Sequence, residues 1–405
     1  MKPSLTVFLA AGCSLSFGVP NTKTLTDAVI DAIRDAEALL PPPLTSKPTR
    51  TDLLWDHLKG SYGPNANFEH VLHSLESMDS LIRTWQATLP SRYLTVEGVL
   101  CCSPVGSLLD CFDRIFPIVG TDALYNSIFH QIATANASLS KHPNWSLWTD
   151  FIRKLRTQFD TQFVTTNYDH LLEDSAAFLP EDEGFFPISG ECAYRFDPKK
   201  ASLKLMHLHG NIRFGYRSND NRFIFEDDFY DLYWFNNPDV AADSWSGLKG
   251  RSIPTSGAGD TLNVGPIITG LHKPDKLLIE PYRSYSEAFY TSLRQTPCLL
   301  VIGYGFGDPH LNYILQRMTR WHGSNRRVIY VGWNDNWPPD PHDFSDNLRT
   351  ISYWAEEDSP MKKCLIAHKP YIPSGGGHDC FRGWFTGFND VLQHHQGDVI
   401  DFLKS

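Results

Sequence analysis

Short apolar runs alternate with amphipathic segments along most of the chain. The first run, LTVFLAAGCSLSFGVP at residues 5–20, leads into KTLTDAVIDAIRDAEALL at 23–40, where apolar residues recur at helical spacing. Thr24 and Asp27 predict a cap at the start of this helix, and three prolines at 41–43 end it. The chain therefore begins with a strand, a tight turn and a helix, as the first half of a βαβ unit does.

Residues 44 to about 160 have a different pattern, because helical apolar spacing continues there without convincing strand signals. The pattern predicts a large helical insertion. Its amphipathic segments are TDLLWDHLKG, NFEHVLHSLESMDSLIRTWQ, PVGSLLDCFDRIF and ALYNSIFHQIATA.

Strand signals return after the insertion and alternate with helical segments. The predicted strands are TQFVTTNYD at 161–169, ASLKLMHLHGNI at 201–212, DKLLIEPYR, PCLLVIGYG and RRVIYVGW. LLEDSAAFL, PHLNYILQRM and, near the C-terminus, WFTGFNDVLQHH are predicted helices, whereas SIPTSGAGD is the clearest loop of the polar, aromatic stretch 213–270. This order predicts an α/β protein with a Rossmann-like, doubly wound parallel sheet. The predicted core comprises 1–40 and 160–335, the insertion 41–159, and a C-terminal extension 336–405.

Composition narrows the class of protein. The 405 residues are 41% hydrophobic and 13% aromatic, which excludes a disordered chain. The net charge of -10 and the absence of a basic block disfavour direct nucleic-acid binding. Eight cysteines form no C-x-x-C pair, which predicts free thiols in a reducing cytoplasm and disfavours a four-cysteine zinc site. No apolar run approaches the ~20 residues that cross a bilayer.

Four polar or glycine-rich stretches follow predicted strands, where open α/β sheets bind their ligands. They are AAGCS (10–14), TTNYD (165–169), HLHGN (207–211) and GYGFGDPH (303–310). In the first, small residues would let backbone amides approach a phosphate, although a tight turn without a ligand explains Gly12 equally well. In the last, Asp308 and Pro309 are typical of an N-cap and a first helical position. Gly303 and Gly305 are the residues there that permit close approach to a ligand.

Each polar residue of these stretches also has a structural interpretation. Asn167 can be a turn residue and Asp169 a helix cap. His209 can be a buried structural histidine, and together with His207 it can form an H-x-H metal pair. A metal site would need further ligands, and no H-E-x-x-H motif or similar companion is present.

Taken in order, the four stretches resemble the motifs of the sirtuin superfamily, which surround NAD. The motifs TTNYD and GYGFGDPHLN, together with NFE at 67–69, are similar to those of the bacterial sirtuin-like NAD hydrolases of antiphage defence. The similarity spans residues 5 to about 315. It implies catalytic roles for Asn167 and His209. It also implies that the nucleotide is bound by Ala11, Gly12, Cys13, Ser14, Thr166, Asp169, Gly303, Tyr304 and Gly305.

Two departures separate the chain from the deacylase branch of the superfamily. Where deacylases have G-I-P-x-F-R, this chain has Gly18-Val19-Pro20-Asn21-Thr22-Lys23, which lacks the phenylalanine and the arginine. The C-x-x-C zinc ribbon is missing as well. Both departures disfavour protein deacylation.

Residues 5–20 also resemble a bacterial lipoprotein signal that ends at Gly12-Cys13. Against this, the segment follows a single lysine, has only about seven apolar residues before Gly12, and lacks a leucine three places before Cys13. The later motifs need the same stretch to complete a nucleotide site. We therefore predict a first strand and phosphate loop in a cytoplasmic protein.

The resemblance implies hydrolysis of NAD, as substrate, to ADP-ribose and nicotinamide, without a metal. The alternatives are sirtuin-type transfer to an acyl-lysine or another protein side chain, and an NAD or ADP-ribose sensor without turnover. The relatives also imply a separate activating partner such as a HerA-type ATPase. A homo-oligomer is expected because aromatic-rich helical insertions are commonly buried between subunits.

Overall fold

The structure is a computed structural model, and it describes residues 2–40, 49–88, 115–216, 231–243, 251–254, 261–269, 273–332, 350–351, 354, 369–371 and 380–405. The helices are α1 (Ala11–Leu15), α2 (Thr22–Glu37), α3 (Arg50–Tyr62), α4 (Phe68–Thr88), α5 (Ile115–Asn136), α6 (Trp145–Gln158), α7 (Leu171–Ala176), α8 (Pro238–Ala242), α9 (Tyr282–Gln295), α10 (Pro309–His322), α11 (Phe388–Asp390) and α12 (Gln396–Lys404). The strands are β1 (Ser4–Leu9), β2 (Asp160–Thr165), β3 (Phe185–Pro187), β4 (Ala193–Phe196), β5 (Leu205–His207), β6 (Phe214–Gly215), β7 (Tyr233–Phe235), β8 (Arg251–Pro254), β9 (Thr261–Val264), β10 (Cys298–Ile302), β11 (Arg327–Val331), β12 (Pro370–Tyr371) and β13 (Phe381–Trp384).

The main sheet has the strand order β12-β13-β11-β10-β1-β2-β5. All neighbours pair in parallel except β12, which is antiparallel to β13. The chain builds outward from β1 through β2 to β5, then returns to the other side of β1 and continues through β10, β11 and β13. The strand order therefore reverses between β1 and β10, where a crevice for ligands forms in such sheets.

Both faces of the main sheet are buried. In β1, Leu5, Val7 and Leu9 lie in one hydrophobic core, whereas Phe8 lies in the other. The first core also holds the buried residues of α2 and α6, and the second holds those of α9 and α10. The predicted α/β fold with a doubly wound parallel sheet is confirmed, and its strands read as apolar runs because each faces two cores.

Helices fill the described part of the predicted insertion, as expected. Buried Leu54, Leu72 and Leu124 of α3, α4 and α5 share one core with Val29 of α2 and with β1. The insertion thus packs directly on the first helix of the sheet. Most of PVGSLLDCFDRIF lies outside the described residues, and the domain boundaries given above stay predictions.

Two local predictions are wrong. The cap of α2 is Asn21, whose Oδ1 accepts a hydrogen bond from the Thr24 amide at 2.8 Å. The predicted strand DKLLIEPYR is a 3-10 helix over Lys273–Leu278 followed by the start of α9. Its apolar triplet resembles a buried strand, but Pro281 lies at the N-cap of α9, where a helix can begin.

Several elements were not predicted. The stretch after β5 contains β6 and β7, which form an antiparallel sheet with β3 and β4. The first residues of SIPTSGAGD belong to β8, which pairs with β9. Near the C-terminus, β13 joins the main sheet in parallel with β11.

Among the described residues, no helix has the length and apolar character that crossing a membrane requires. Four cysteines fall in the described part of the chain, and all are free thiols: Cys13, Cys192, Cys298 and Cys380.

Candidate active site

The turns after β1 and β10 meet at the point where the strand order reverses. The Gly12 amide donates to the Gly303 carbonyl at 2.9 Å. A Cβ on Gly303, which has a φ of 70°, would lie 2.1 Å from the Cys13 nitrogen, and one on Gly12 would lie 2.8 Å from Gly303. Close backbone contact therefore requires both glycines, independently of any ligand.

The stretch predicted as an open phosphate loop is the short helix α1. Its Gly12 and Cys13 amides already donate to Gly303 and Ala10 carbonyls. Ala11 and Gly305 are exposed and Thr166 is half-buried, so these three residues, which follow β1, β10 and β2, are accessible from solvent. Tyr304 is instead a core residue, because its ring packs edge-on against Phe8.

Cys13 is unsuited to nucleophilic chemistry. Burial and the nearby charge of Asp169 raise the pKa of its thiol well above the ordinary value. The thiol therefore stays protonated at neutral pH, and the thiolate is the reactive form.

Asn167, Ser14 and Asp169 form one hydrogen-bonded chain across the ends of β1 and β2. The Asn167 amide donates to Ser14 Oγ at 2.7 Å, so the serine proton is free to bond Asp169. Burial raises the pKa of Asp169 despite this bond, while its Oδ1 also accepts from the Leu171 amide at 3.0 Å. The structure thus brings these three predicted site residues together. The N-cap of α7 is His170, and Asp169 bonds the first amide of the helix from the preceding position.

His209 lies beyond the end of β5 with an unsatisfied ring nitrogen. The residue is 4% exposed, and its Nε2 has no hydrogen-bond partner. Burial lowers its pKa to about 3, with Lys273 and His310 acting in the same direction and Asp308 against it. His209 is therefore neutral across the physiological range.

A glycine is needed directly after His209. Gly210 has a φ of 93°, and a Cβ there would lie 2.2 Å from the Pro266 carbonyl oxygen. The His209 carbonyl accepts from the Ile268 amide at 2.7 Å. The H-G dipeptide thus fixes the backbone that carries the histidine ring.

His207 belongs to a different group of side chains. Its Nε2 lies 3.1 Å from Glu173 Oε1 and 3.9 Å from Glu183 Oε2. Among the described residues, these three have ligand atoms within 4.8 Å of one another, and His209 is not part of the group. The structure does not join the two histidines as an H-x-H metal pair.

An ion network lies beside His209. Lys273 Nζ contacts Glu69 Oε1 and Asp308 Oδ1, each at 2.7 Å. Asp308 stands at the N-cap of α10, but its side chain makes no capping hydrogen bond. The predicted N-cap position of Asp308 and the first-turn position of Pro309 are confirmed, but the Asp308 carboxylate contacts Lys273 instead of a helix amide.

Sequence reasoning missed several residues of this region. Glu69 had a signal, because it lies in the NFE stretch of the insertion. Lys273 had none, since it lies outside every predicted motif, two residues before the predicted strand DKLLIEPYR, and its two partners lie far from it in sequence. Glu173 and Glu183 follow no motif, and only the folded chain places them against His207.

A comparison with protein-family models finds one match in this region of the chain. Residues 161–356 match the SIR2-like domain. The matched segment contains Asn167, Asp169, His209 and the turn at Gly303. The SIR2-like match supports the predicted sirtuin-like affiliation of the chain.

Searches for whole-chain relatives add less than the SIR2-like match. Among curated proteins, no relative matches. A sirtuin structure described as the structural basis of sirtuin substrate affinity is 11% identical, with a TM-score of 0.33, covering 88% of this chain and 95% of its own. A mutant Sir2 homologue in complex with 2'-O-acetyl ADP ribose is 10% identical, with a TM-score of 0.37, covering 100% and 94%. Sir2Tm bound to a propionylated peptide is 11% identical, with a TM-score of 0.32, covering 88% and 95%.

Proposed function

We propose that the protein hydrolyses NAD to ADP-ribose and nicotinamide. The observation that carries the proposal is that two sets of polar side chains lie at the same edge of the main sheet, after the carboxyl ends of its strands. One is the Asn167–Ser14–Asp169 chain at the strand-order reversal, and the other is a neutral, buried His209 with an unpartnered Nε2. The SIR2-like match over 161–356 supports NAD as the substrate.

The reaction places modest demands on the protein. The nicotinamide of NAD is a cationic pyridinium, so it leaves as a neutral molecule without a general acid. What remains is to hold the ribose, stabilise oxocarbenium-like charge and orient one water. Asn167, held by Ser14, is the residue we assign to the ribose hydroxyl or the water.

His209 is the residue we assign to the proton. Water that bonds to the oxocarbenium-like carbon becomes strongly acidic, so even an imidazole of low pKa accepts its proton. Burial keeps His209 neutral and therefore competent as a base at neutral pH. The products are ADP-ribose, nicotinamide and one proton.

The direct test is incubation of the purified protein with NAD and water alone. Hydrolysis predicts ADP-ribose and nicotinamide in equal amounts without an acceptor. Sirtuin-type transfer predicts products only when an acyl-lysine peptide or another protein acceptor is added. Binding of NAD without product would support the sensor alternative and contradict hydrolysis.

Metal independence is part of the proposal. We expect full activity after treatment with EDTA, because none of the proposed steps uses a cation. Loss of NAD cleavage in EDTA and its recovery with zinc would contradict the proposed mechanism.

We further propose that the activity depletes NAD in phage-infected bacteria and acts in the cytoplasm. Constitutive NAD loss would kill the host, so we propose restraint by a separate partner such as a HerA-type ATPase. We also propose a homo-oligomer. Cellular NAD measured after infection, in cells with the wild type and with Asn167→Ala, tests the proposed depletion of NAD. Light scattering at micromolar concentration, with and without NAD, tests the proposed homo-oligomer, and a monomer in both conditions would contradict it.

A further inference from the structure

His207 has hydrogen-bond acceptors at both ring nitrogens. Its Nδ1 lies 3.3 Å from the main-chain carbonyl oxygen of Asn167, and its Nε2 lies 3.1 Å from Glu173 Oε1. A carbonyl oxygen only accepts, as does an ionised carboxylate, and a neutral imidazole has a single N–H. Both contacts are satisfied together when His207 is an imidazolium.

The surrounding bonds show that Glu173 is the anion of this pair. Asn211 Oδ1 accepts from the Arg213 amide at 2.8 Å, which fixes the orientation of the Asn211 carboxamide. Its Nδ2 then donates to Glu173 Oε1 at 2.5 Å, a much shorter contact than the 3.2 Å between the same Nδ2 and His207 Nε2. Glu173 Oε1 thus receives donors from two sides, as an ionised carboxylate does.

The other titratable groups around His207 complete the charge balance. Glu183, whose Oε2 has no hydrogen-bond partner, faces Nε2 from the 3-10 turn Pro180–Glu183. Burial raises its pKa to about 8, so it is protonated at neutral pH. His170, which burial keeps neutral with a pKa of about 4, bonds Asn211 Oδ1 at 2.9 Å. Asp169 and Arg213 interact with this group through their charges.

We propose that His207 is a positioning residue for Asn167, acting as an imidazolium held between the carboxylate of Glu173 and the main-chain carbonyl of Asn167. By holding that carbonyl, it sets the direction in which the Asn167 carboxamide leaves the backbone toward Ser14. The inference rests on the proposed function in one respect only, namely that Asn167 orients the reacting groups.

The pKa of His207 agrees with this geometry. Burial alone would lower it, but the charges of Glu173 and Glu183 and the bond to Asn167 raise it to about 9. Above that pH the ring loses one N–H and can no longer serve both acceptors. Asn167 then loses its anchor while the fold of the sheet remains.

A spectroscopic titration tests the inference without any turnover. In protein carrying ¹⁵N-histidine, we expect the His207 ring to titrate with a midpoint near 9. Glu173→Gln should lower the midpoint by about 1–3 pH units, because it removes the bonded charge. Glu183→Gln is the matched control and should lower it less, since Glu183 Oε2 lies 3.9 Å from the ring nitrogen and Glu173 Oε1 lies 3.1 Å from it.

The link to Asn167 has its own reporter. Labelling asparagine carbonyls with ¹³C and tyrosine amides with ¹⁵N selects two peptide units, 167–168 and 312–313. The signal of 167–168 should shift with the same midpoint as the His207 ring, and the signal of 312–313 should not. A His207 ring that titrates near or below its ordinary pKa, or a 167–168 signal that ignores it, overturns the inference.

Kinetics then connect the anchor to the chemistry. We expect kcat of the wild type to fall above pH 9 with little change in KM, and Glu173→Gln should move this limb to lower pH. His207→Gln should lower kcat by about 10–100-fold at pH 7.5, because it displaces Asn167 slightly. If no variant hydrolyses NAD but the two titrations coincide, the proposed function fails and the anchoring stands. Stoichiometric zinc bound through His207, detected by metal analysis of wild type against His207→Gln, overturns the imidazolium and hence the inference.

Discussion

His207 and His209 are two residues apart and both buried, yet the structure gives them opposite charge states. His207 has a pKa of about 9 and His209 a pKa of about 3. The two pKa values differ partly because the carboxylate nearest each histidine has a different counter-charge. Asp308 near His209 is paired with Lys273 at 2.7 Å, whereas Glu173 bonds to His207 itself and to the neutral amide of Asn211.

This comparison shows why the H-x-H pattern is ambiguous. The pattern tells which residues end a strand, but the charge of each ring depends on partners supplied by other segments. One histidine is left neutral with a free nitrogen, as a proton acceptor requires. The other is charged and bonded on both sides, as an anchor requires.

The largest expected effect separates these two roles. His209→Ala and Asn167→Ala should each lower NAD turnover by about 10²–10⁴-fold, because each removes a group assigned to the chemistry. Both variants should keep a melting temperature within a few degrees of wild type and should still bind NAD. His207→Ala should have the milder effect on turnover of the two histidine changes.

Equilibrium unfolding and calorimetric NAD binding, measured on the same preparations, check this prediction. If Asn167 and His209 were only a turn residue and a core residue, activity would disappear only as the variants unfold. A stable His209→Ala variant with near-normal NAD hydrolysis would falsify the mechanism.

The next effect concerns Lys273, whose charge adds to burial in lowering the pKa of His209. Lys273→Met removes the partner of Asp308, so the uncompensated carboxylate should raise the pKa of His209. In wild type, His209 should remain neutral to the lowest pH at which the protein stays folded. In the variant, its ring should begin to titrate within the folded range, as ¹⁵N-histidine spectra will show.

Lys276→Met is the matched control for Lys273→Met. Lys276 is buried and bonds Glu76 at 2.6 Å, so both variants break an ion pair between the same 3-10 helix and α4. Each loss should cost about 3–5 kcal/mol of unfolding free energy. Only Lys273 contacts Asp308, and an equal rise of the His209 pKa in both variants would contradict the assignment.

Part of this arrangement was predictable from the sequence, and the reason is physical. β1, β10 and β11 are buried along nearly their whole length and appear as apolar runs, whereas only the last three residues of β2 are buried. The ends of β1 and β2 locate Ser14, Asn167 and Asp169. β13 was missed because its four residues, FRGW, contain no such run, and its pairing with β11 is set by packing.

The partners and charge states of the ionisable side chains could not be predicted from local sequence patterns. Lys273 forms its ion pairs with Glu69 and Asp308, which lie 204 and 35 positions away along the chain, so no local pattern reveals them. Burial in the fold and the nearby charge of Glu173 raise the pKa of Glu183 to about 8, and neither is visible in the local sequence. Sequence reasoning therefore located the catalytic candidates and gave no information on their protonation.

A smaller effect is expected in the pH dependence of the unfolding free energy, to which the two histidines contribute slopes of opposite sign. The folded-state pKa of His209 lies below the ordinary 6.5, so its protonation opposes folding and stability falls as the pH drops from about 6.5 toward 3. The folded-state pKa of His207 lies above 6.5, so its contribution is complete below that pH and is lost as the pH rises toward 9. Each histidine contributes a slope of about 1.4 kcal/mol per pH unit within its window.

Urea unfolding between pH 4 and 9.5 measures both slopes. His209→Gln should flatten the acid side and leave the alkaline side, whereas His207→Gln should do the reverse. Glu183 adds to the loss on raising the pH, because its folded-state pKa of about 8 exceeds the ordinary 4.5. Glu183→Gln should therefore flatten the curve between about pH 4.5 and 8, and identical curves for all variants would contradict the assigned charge states.

The smallest expected effect is at Cys13, which lies inside the site but is assigned no chemistry. Its thiol is buried and its pKa is raised by burial and by Asp169, so iodoacetamide at pH 8 should leave it unmodified in the folded protein. Cys192 is exposed and provides the internal comparison. Peptide mass spectrometry should show alkylation at Cys192 without alkylation at Cys13, and NAD turnover should be unchanged by the treatment. Rapid labelling of Cys13 with parallel loss of turnover would mean that the site opens around β1, and it would add this thiol to the catalytic candidates Asn167 and His209.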